Sequence, residues 1–238
     1  MQTLDRIGEA LNRSRSARLG LLLAVFLPSL VPLWLVGSGR VDGAAPMASL
    51  LAVGWVIWAL VAIGLSQRWR GLGWREIGLR RPPSWARALL QAVAIAAIAM
   101  LVGKLTEWLV IEPTIGDEAD LSRFDNVRGN PLTLVGTILS VWVTSAFPEE
   151  VIWRGFLMTR LAEILGGSRS AWSSALVASS ALFGLAHLYQ GAAGVLTIGV
   201  IGVVFGLAFL WVRNLWPLVV AHGLMHVISF TALYLGMI

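Results

Sequence analysis

The feature that most constrains this chain is a series of apolar blocks, most of them about as long as a helix that crosses the roughly 30 Å hydrocarbon core of a membrane. The blocks cover residues 19–36, 48–65, 88–102, 131–165, 171–188, 192–212 and 215–238. Only 13% of the residues are charged, against roughly 25% in soluble globular domains. The sequence therefore predicts an all-α fold, a polytopic transmembrane helical bundle of about seven crossings, in one integral membrane domain over residues 1–238.

The distribution of arginine predicts how this bundle is oriented. Arginines concentrate in segment 67–87, in the region 154–169 and at position 213, whereas segment 104–130 is mainly acidic. Because cytoplasmic loops carry the excess of basic residues, we expect the N-terminus, with the polar segment 1–18, to be cytoplasmic and the 104–130 loop to lie outside. Within segment 1–18, apolar residues at helical spacing predict a short helix on the membrane surface.

Composition also limits the functional class and the compartment. The net charge of +5 comes from segments between the apolar blocks, so membrane orientation explains it and a nucleic-acid partner is not expected. The chain has no cysteine, which excludes disulfides, thiolate metal sites and a cysteine nucleophile. The scarcity of lysine beside abundant arginine, alanine and glycine indicates a bacterial source, and hence a multi-pass protein of the cell membrane.

A small set of ionisable side chains lies inside the apolar blocks, where each costs about 2.5 kcal/mol or more. The set consists of Glu149, Glu150, Arg154, His187, His222 and His226, and it includes every histidine of the chain. A single membrane histidine most often bonds a neighbouring helix, and an isolated Glu–Arg pair can be purely structural. A helical bundle has no structural need for the whole set, so we interpret it as a functional site.

Helical spacing predicts which of these side chains can meet. Glu150 and Arg154 lie four residues apart and can pair on one helix face, while Glu149 is turned away by about 100°. The histidines at positions 222 and 226 share the same spacing. Pro148 removes a backbone donor just before the acidic pair, so we expect a kink that gives water room. Three helices can thus bring one free carboxylate and three imidazoles together.

This combination of groups suits hydrolysis by an activated water molecule. A carboxylate beside imidazoles can take a proton from water and polarise a carbonyl group, and the same groups can ligate zinc. The HExxH arrangement of many zinc proteases is absent, and no serine lies in a nucleophile-elbow sequence. The residues leave open whether a metal takes part.

Short motifs in this region resemble those of a known protease family. Residues 149–154 (EEVIWR) match an EExxxR signature, residues 183–187 (FGLAH) an FxxxH motif, and residues 222–226 (HGLMH) an HxxxN motif. In this order, on apolar helices, they resemble the CAAX protease and bacteriocin-processing (CPBP, or Abi) family of intramembrane proteases, which includes type II CAAX prenyl endopeptidases. The resemblance covers about residues 148–230.

The resemblance implies an intramembrane endopeptidase whose catalytic helices lie within residues 131–238. Glu149 would be the general base, with His187 orienting or activating the water. His222 and His226 would stabilise the oxyanion. Family members have been described both as metalloproteases and as metal-independent glutamate proteases. Zinc is therefore an open alternative, with Glu149, His187 and His222 as its ligands.

The resemblance also indicates a class of substrate, and the departure from it at position 226 leaves other functions open. Glu150 and Arg154 would hold the site together or contact the substrate, which the resemblance implies is a peptide or protein entering from the membrane. Position 226 departs from the family pattern, because histidine replaces the usual asparagine. Two alternatives stay open: a non-catalytic immunity or scaffold protein on the same fold, and a proton-coupled transporter that uses the Glu/His set as a relay.

Overall fold

The computed structural model describes residues 2–30 and 46–238. The described residues are 84% helical and contain no strand, which confirms the predicted all-α class. We label the helices α1 (Gln2–Arg13), α2 (Arg15–Phe26), α3 (Pro46–Trp69), α4 (Trp85–Thr114), α5 (Pro131–Ile164), α6 (Arg169–Leu185), α7 (Gly191–Val212) and α8 (Leu215–Tyr234).

Five helices in the described residues are long and apolar enough to cross a membrane. Their spans are Leu50–Trp69, Trp85–Thr114, Pro131–Ile164, Leu188–Val212 and Leu215–Tyr234. Helix α6 is shorter, with 17 residues, and the predicted block 19–36 lies partly outside the described residues. The apolar helices support a multi-pass membrane protein, while the seven crossings and the cytoplasmic N-terminus stay predictions.

The loop expected over residues 104–130 is wrong in its first part, because α4 continues to Thr114. Apolar side chains between the charged ones keep this stretch helical, and it passes through a π-helical turn over Glu107–Ile111. On its exposed face, Lys104 Nζ bonds Glu107 Oε2 at 2.7 Å, a pairing that helical spacing allows. The connection between α4 and α5 is therefore limited to residues 115–130.

The helix predicted near the N-terminus is present as α1 and packs on the end of α3, while its place on the membrane surface stays a prediction. A Cβ atom on Gly8 would lie only 1.9 Å from the carbonyl oxygen of Trp69, so only glycine permits this approach. Arg70 Nε donates to Asn12 Oδ1 at 3.0 Å. The segment 1–18 is not one helix, because the chain breaks at Ser14, which caps the start of α2.

Tertiary contacts gather the arginine-bearing connections at one end of the bundle. Arg70 Nη2 lies 3.2 Å from Glu163 Oε2 at the end of α5. Asn214 Nδ2, at the start of α8, donates to the carbonyl oxygen of Arg80 at 3.0 Å. The segments 67–87, 164–169 and 213–214 therefore share one end, as the distribution of arginine predicts.

The segment 115–130 covers the opposite end. The backbone N–H of Asp120 donates to Gln190 O, and that of Gly129 donates to Tyr234 O, each at 3.1 Å. These bonds tie the segment to the turn between α6 and α7 and to the end of α8. The helices that carry the histidines are thereby joined at that end.

Glycines let the helices around the acidic pair approach closely. A Cβ on Gly184 of α6 would lie 2.5 Å from Val195 O of α7, and a Cβ on Gly223 of α8 would lie 2.3 Å from the Trp142 ring of α5. Small residues at helix contacts are a general device of membrane bundles, where close packing replaces the hydrophobic driving force. Helices α5, α6, α7 and α8 are thus held side by side.

Candidate active site

The acidic pair lies in a distorted part of α5. Segments Trp142–Ala146 and Glu150–Met158 are π-helical and flank the short α-helical stretch Phe147–Glu149. Pro148 has no backbone N–H, so a regular α-helical ladder cannot run through it. Wide turns of this kind are rare and are frequent at functional sites. The irregularity expected at Pro148 is present, as a change of helical winding on both sides.

Glu150 and Arg154 form a buried ion pair, as helical spacing predicts. Arg154 Nη1 donates to Glu150 Oε1 at 3.2 Å, and the two side chains are 2% and 0% exposed for the arginine and the glutamate. The guanidinium carbon of Arg154 lies 4.1 Å from the ring centroid of Phe183 and 5.3 Å from that of Phe205. The aromatic faces stabilise the cation where water is excluded.

His222 is attached to this pair and faces the other glutamate. Its Nδ1 lies 2.8 Å from Glu150 Oε1, and because a carboxylate only accepts, Nδ1 carries the proton. Its Nε2 lies 3.9 Å from Glu149 Oε2. Glu150 therefore fixes the orientation of the imidazole, as a carboxylate does for histidine in many hydrolases.

Ser145 and His226 hold Glu149 from the other side. Ser145 Oγ donates to Glu149 Oε1 at 2.9 Å and lies 3.2 Å from His226 Nε2. The hydroxyl has one proton, which the carboxylate takes, so His226 Nε2 is the donor to Ser145. The His226 ring stacks between His222 and Phe230, with centroids 4.8 and 5.7 Å away.

The second carboxylate oxygen of Glu149 has no protein donor. Oε2 is buried and forms no hydrogen bond with any residue that the structure describes, although the side chain as a whole is 17% exposed. A buried polar atom without a partner is costly. Glu150 Oε2 is likewise buried without a partner among the described residues, but Glu149 Oε2 faces His222 Nε2, so it is a place where a water molecule or a polar substrate group can bind.

His187 lies beside this cluster without bonding its carboxylates within the described chain. It follows the end of α6, and its Nδ1 lies 2.9 Å from the carbonyl oxygen of Phe183, so Nδ1 carries a proton and Nε2 is free to accept. Its ring packs edge-on against Phe183 at 5.0 Å. Since Phe183 also lies under Arg154, one aromatic ring links His187 to the buried ion pair.

Glu149, His187 and His222 are the side chains expected to hold a metal ion, if one is resident. In ranges 2–30 and 46–238, the side chains as placed form no ready-made group of three or more His, Cys, Asp or Glu ligands. Nδ1 of His222 bonds Glu150 and Nδ1 of His187 bonds a backbone carbonyl, which is the usual arrangement in histidines that bind a metal through Nε2. Zinc therefore stays an alternative, and the proposed roles are those of the chain's own residues.

Two residues of this site, Ser145 and Phe205, were not predicted from the sequence. Ser145 had a usable signal, because it lies four residues before Glu149, the spacing that also pairs Glu150 with Arg154. Phe205 had none, since it is one of many apolar residues of α7 and contacts Arg154 and His222 only through tertiary packing.

All of these residues lie in one continuous region of the sequence. Residues 131–228 match the family model described as type II CAAX prenyl endopeptidase Rce1-like. The chain carries an Rce1-like domain. This domain comprises α5, α6, α7 and most of α8, and it covers less than half of the chain. The match confirms the family resemblance that the three motifs indicate.

The comparison supports a general class of activity. Rce1-like proteins are a protease family, so the match supports a hydrolase with a function of the CAAX-protease type. No curated protein and no solved structure matches the chain. The roles of individual residues therefore depend on the geometry described above.

Proposed function

We propose that the protein is an intramembrane peptidase in which Glu149 activates water for hydrolysis of a peptide bond. The observation that carries this proposal is the buried, unpartnered Oε2 of Glu149, which faces His222 Nε2 across 3.9 Å inside the Rce1-like domain. A general base must lie within hydrogen-bond reach of the proton that it removes. In the proposed mechanism the attacking water contacts both atoms from the side, at hydrogen-bond distance from each.

The proposed reaction transfers protons through Glu149. The water oxygen attacks the carbonyl carbon of the scissile bond while one water proton moves to Glu149 Oε2. The tetrahedral intermediate then loses its amine, and the protonated Glu149 returns the proton to the departing nitrogen. The products are a new carboxyl group and a new amine. The second water proton is accepted by one histidine at a time, His222 Nε2 or His187 Nε2, each of which carries its own proton on Nδ1.

Three further residues have supporting roles in this proposal. Glu150 and Arg154 position His222 through the buried ion pair. His226 donates to the developing oxyanion, because its hydrogen bond to Ser145, at 3.2 Å, is long and can be redirected. Donors placed where negative charge develops are among the largest contributors to catalysis.

The substrate that we propose is a membrane-associated peptide or protein that enters from the lipid. Support comes from the protease family and from the position of Glu149 within an apolar span, Pro131–Ile164. Nearby lipid-facing side chains such as Val143, which is 73% exposed, leave the surface of α5 open to an apolar substrate.

Reconstitution in liposomes tests this function. The purified full chain would be incubated with a farnesylated membrane peptide and with the same peptide lacking the lipid, and the products identified by mass spectrometry. We expect hydrolysis at a single bond in at least one of the two. Intact peptides in the presence of folded protein would contradict the proposal and favour a non-catalytic scaffold, and proton flux that His187→Ala abolishes would favour a transporter.

Ser145→Ala is expected to lower kcat about tenfold with little change in KM, because Glu149 loses the donor that holds Oε1 and is misaligned only for the chemical step. Ser145→Thr keeps the hydroxyl and should recover most of the rate. Thr144→Ala is the matched control, since the Thr144 hydroxyl bonds only the backbone of Ser140, at 2.9 Å. Equal losses in the Thr144 and Ser145 variants would contradict a positioning role for Ser145.

His226→Asn is expected to keep kcat/KM within about tenfold of the wild type, because an amide has two N–H donors, one for Ser145 and one for the oxyanion. His226→Leu removes both contacts and should lower kcat/KM by about 10²–10³-fold. Steady-state rates on the cleaved peptide measure both effects. A leucine variant as active as the wild type would remove His226 from the mechanism.

A further inference from the structure

A concave site lies at the arginine-rich end, away from the Glu/His cluster. It is a cavity of about 180 Å³ between the segment that follows α3, the first turn of α6 and the end of α7. The charged and aromatic residues that line it are Arg75, Glu76, Arg80, Trp172 and Arg213. Nothing in the proposed hydrolysis uses these residues.

The cavity has an excess of positive charge that the protein does not neutralise. Within the part of the chain that the structure describes, none of its three arginines lies within 4.0 Å of a carboxylate oxygen, and Glu76 forms no ion pair with them. Three guanidinium groups and one carboxylate leave a net charge of +2 at the site. Arginines without a carboxylate partner that line one cavity can bind phosphate, which their planar donors suit.

Arg213 is held in place by its surroundings. It has φ of 51° and is the one non-glycine residue with positive φ among those described, a conformation that L-residues seldom adopt. Its Nε donates to Leu210 O at 3.2 Å, and its guanidinium carbon lies 4.1 Å from the ring centroid of Trp172. The positive φ ends α7 at Arg213, and the stacking on Trp172 holds the guanidinium at the cavity.

The segment that carries Arg75 and Arg80 is also fixed against the bundle. The backbone N–H of Leu215 donates to Gly78 O at 3.0 Å. Gly78 has φ of 86°, and a Cβ there would lie 2.7 Å from the Phe209 ring. The carbonyl oxygen of Arg80 is bonded to Asn214, so the backbone on this side of the cavity is fixed. Binding of a ligand therefore costs little conformational entropy of this backbone.

The position of the cavity relative to the membrane indicates which phosphate-bearing ligand can reach it. The apolar span Leu188–Val212 ends one residue before Arg213, so the cavity lies at the level where lipid headgroups meet water. Exposed Trp211, at 75%, fits the interfacial belt of aromatic residues. We propose that this cavity binds the phosphate group of an anionic phospholipid, with Arg80 and Arg213 as its main contacts.

Binding of short-chain lipids to the purified full chain in detergent tests this site. The probes are dihexanoylphosphatidylglycerol, dihexanoylphosphatidylcholine and inorganic phosphate at matched ionic strength, with tryptophan fluorescence as the readout. The Arg80→Gln/Arg213→Gln variant should bind the anionic lipid about tenfold more weakly. The matched control is Arg68→Gln/Arg169→Gln, which removes the same charge from exposed arginines at the same end but outside the cavity, and it should bind like the wild type.

Each outcome bears on the proposal. Equal weakening in both double variants would overturn it, because general surface charge would then explain binding. Binding of inorganic phosphate that depends on the cavity arginines and matches the lipid would support a phosphate site and overturn the lipid as its source. If the double variant does not fold, Arg213→Lys serves instead. It keeps the charge but loses the planar, stacked donor, so wild-type affinity there would also overturn the proposal.

Discussion

Glu149→Gln is expected to lower kcat/KM for peptide hydrolysis by about 10²–10⁴-fold, because an amide cannot take a proton from water. The substitution preserves the shape of the side chain. Its amide oxygen can still accept the hydrogen bond from Ser145 that the carboxylate accepts at 2.9 Å. The loss should therefore come from chemistry and not from unfolding, which the initial rate in liposomes and the thermal unfolding midpoint measure together.

Glu112→Gln provides the matched control for this result. Glu112 is an exposed glutamate near the C-terminal end of α4, outside the Glu/His cluster. The Glu112→Gln variant should cleave the peptide at the wild-type rate. A Glu149→Gln protein that is folded and equally active would remove Glu149 as the base and, with it, the proposed mechanism.

Arg154→Met is expected to reduce the free energy of unfolding by about 3–5 kcal/mol, because it leaves Glu150 as an uncompensated buried charge. Both side chains of the pair are almost completely enclosed, at 2% and 0% exposure. The loss should be visible as a lower midpoint in denaturant titrations of the protein in detergent micelles. Activity should fall as well, since Glu150 then holds His222 less firmly.

Two further variants make this stability prediction specific. Glu150→Gln/Arg154→Met removes both charges, so it should be less destabilised than Arg154→Met alone. Arg128→Met breaks an exposed pair with Asp125, in which the side chains are 45% and 60% exposed, and should cost at most about 1 kcal/mol. If Arg154→Met were no more destabilising than Arg128→Met, the buried ion pair would contribute no more to stability than an exposed one, which would contradict this prediction.

Local periodicity correctly predicted one contact of the candidate site. The four-residue spacing that placed Glu150 beside Arg154 depends only on helical geometry, and the structure confirms the contact. The apolar blocks likewise located α3, α5, α7 and α8, because length and hydropathy decide which segments can cross a membrane. The candidate site residues were chosen because ionisable groups are rare in such segments, and their roles stay predictions.

Other features depended on packing that local patterns do not encode. The contact between His222 and Glu150 joins residues 72 positions apart and requires α8 to pack on α5, which Gly223 allows. The extension of α4 to Thr114 was missed because charged residues there suggested a loop. The bond from His226 to Ser145 was missed because an imidazole can donate in several directions, and only the neighbouring carboxylate determines which one.

In the proposed mechanism the protein's own Glu149 activates the water that cleaves the peptide. The most direct test is hydrolysis in oxygen-18 water by wild-type protein that has been treated with a chelator and shown by elemental analysis to be free of metal. We predict one oxygen-18 atom in the new carboxyl group, formed at the rate of the untreated protein. Activity that disappears with the metal and returns with one zinc ion per chain would contradict this account.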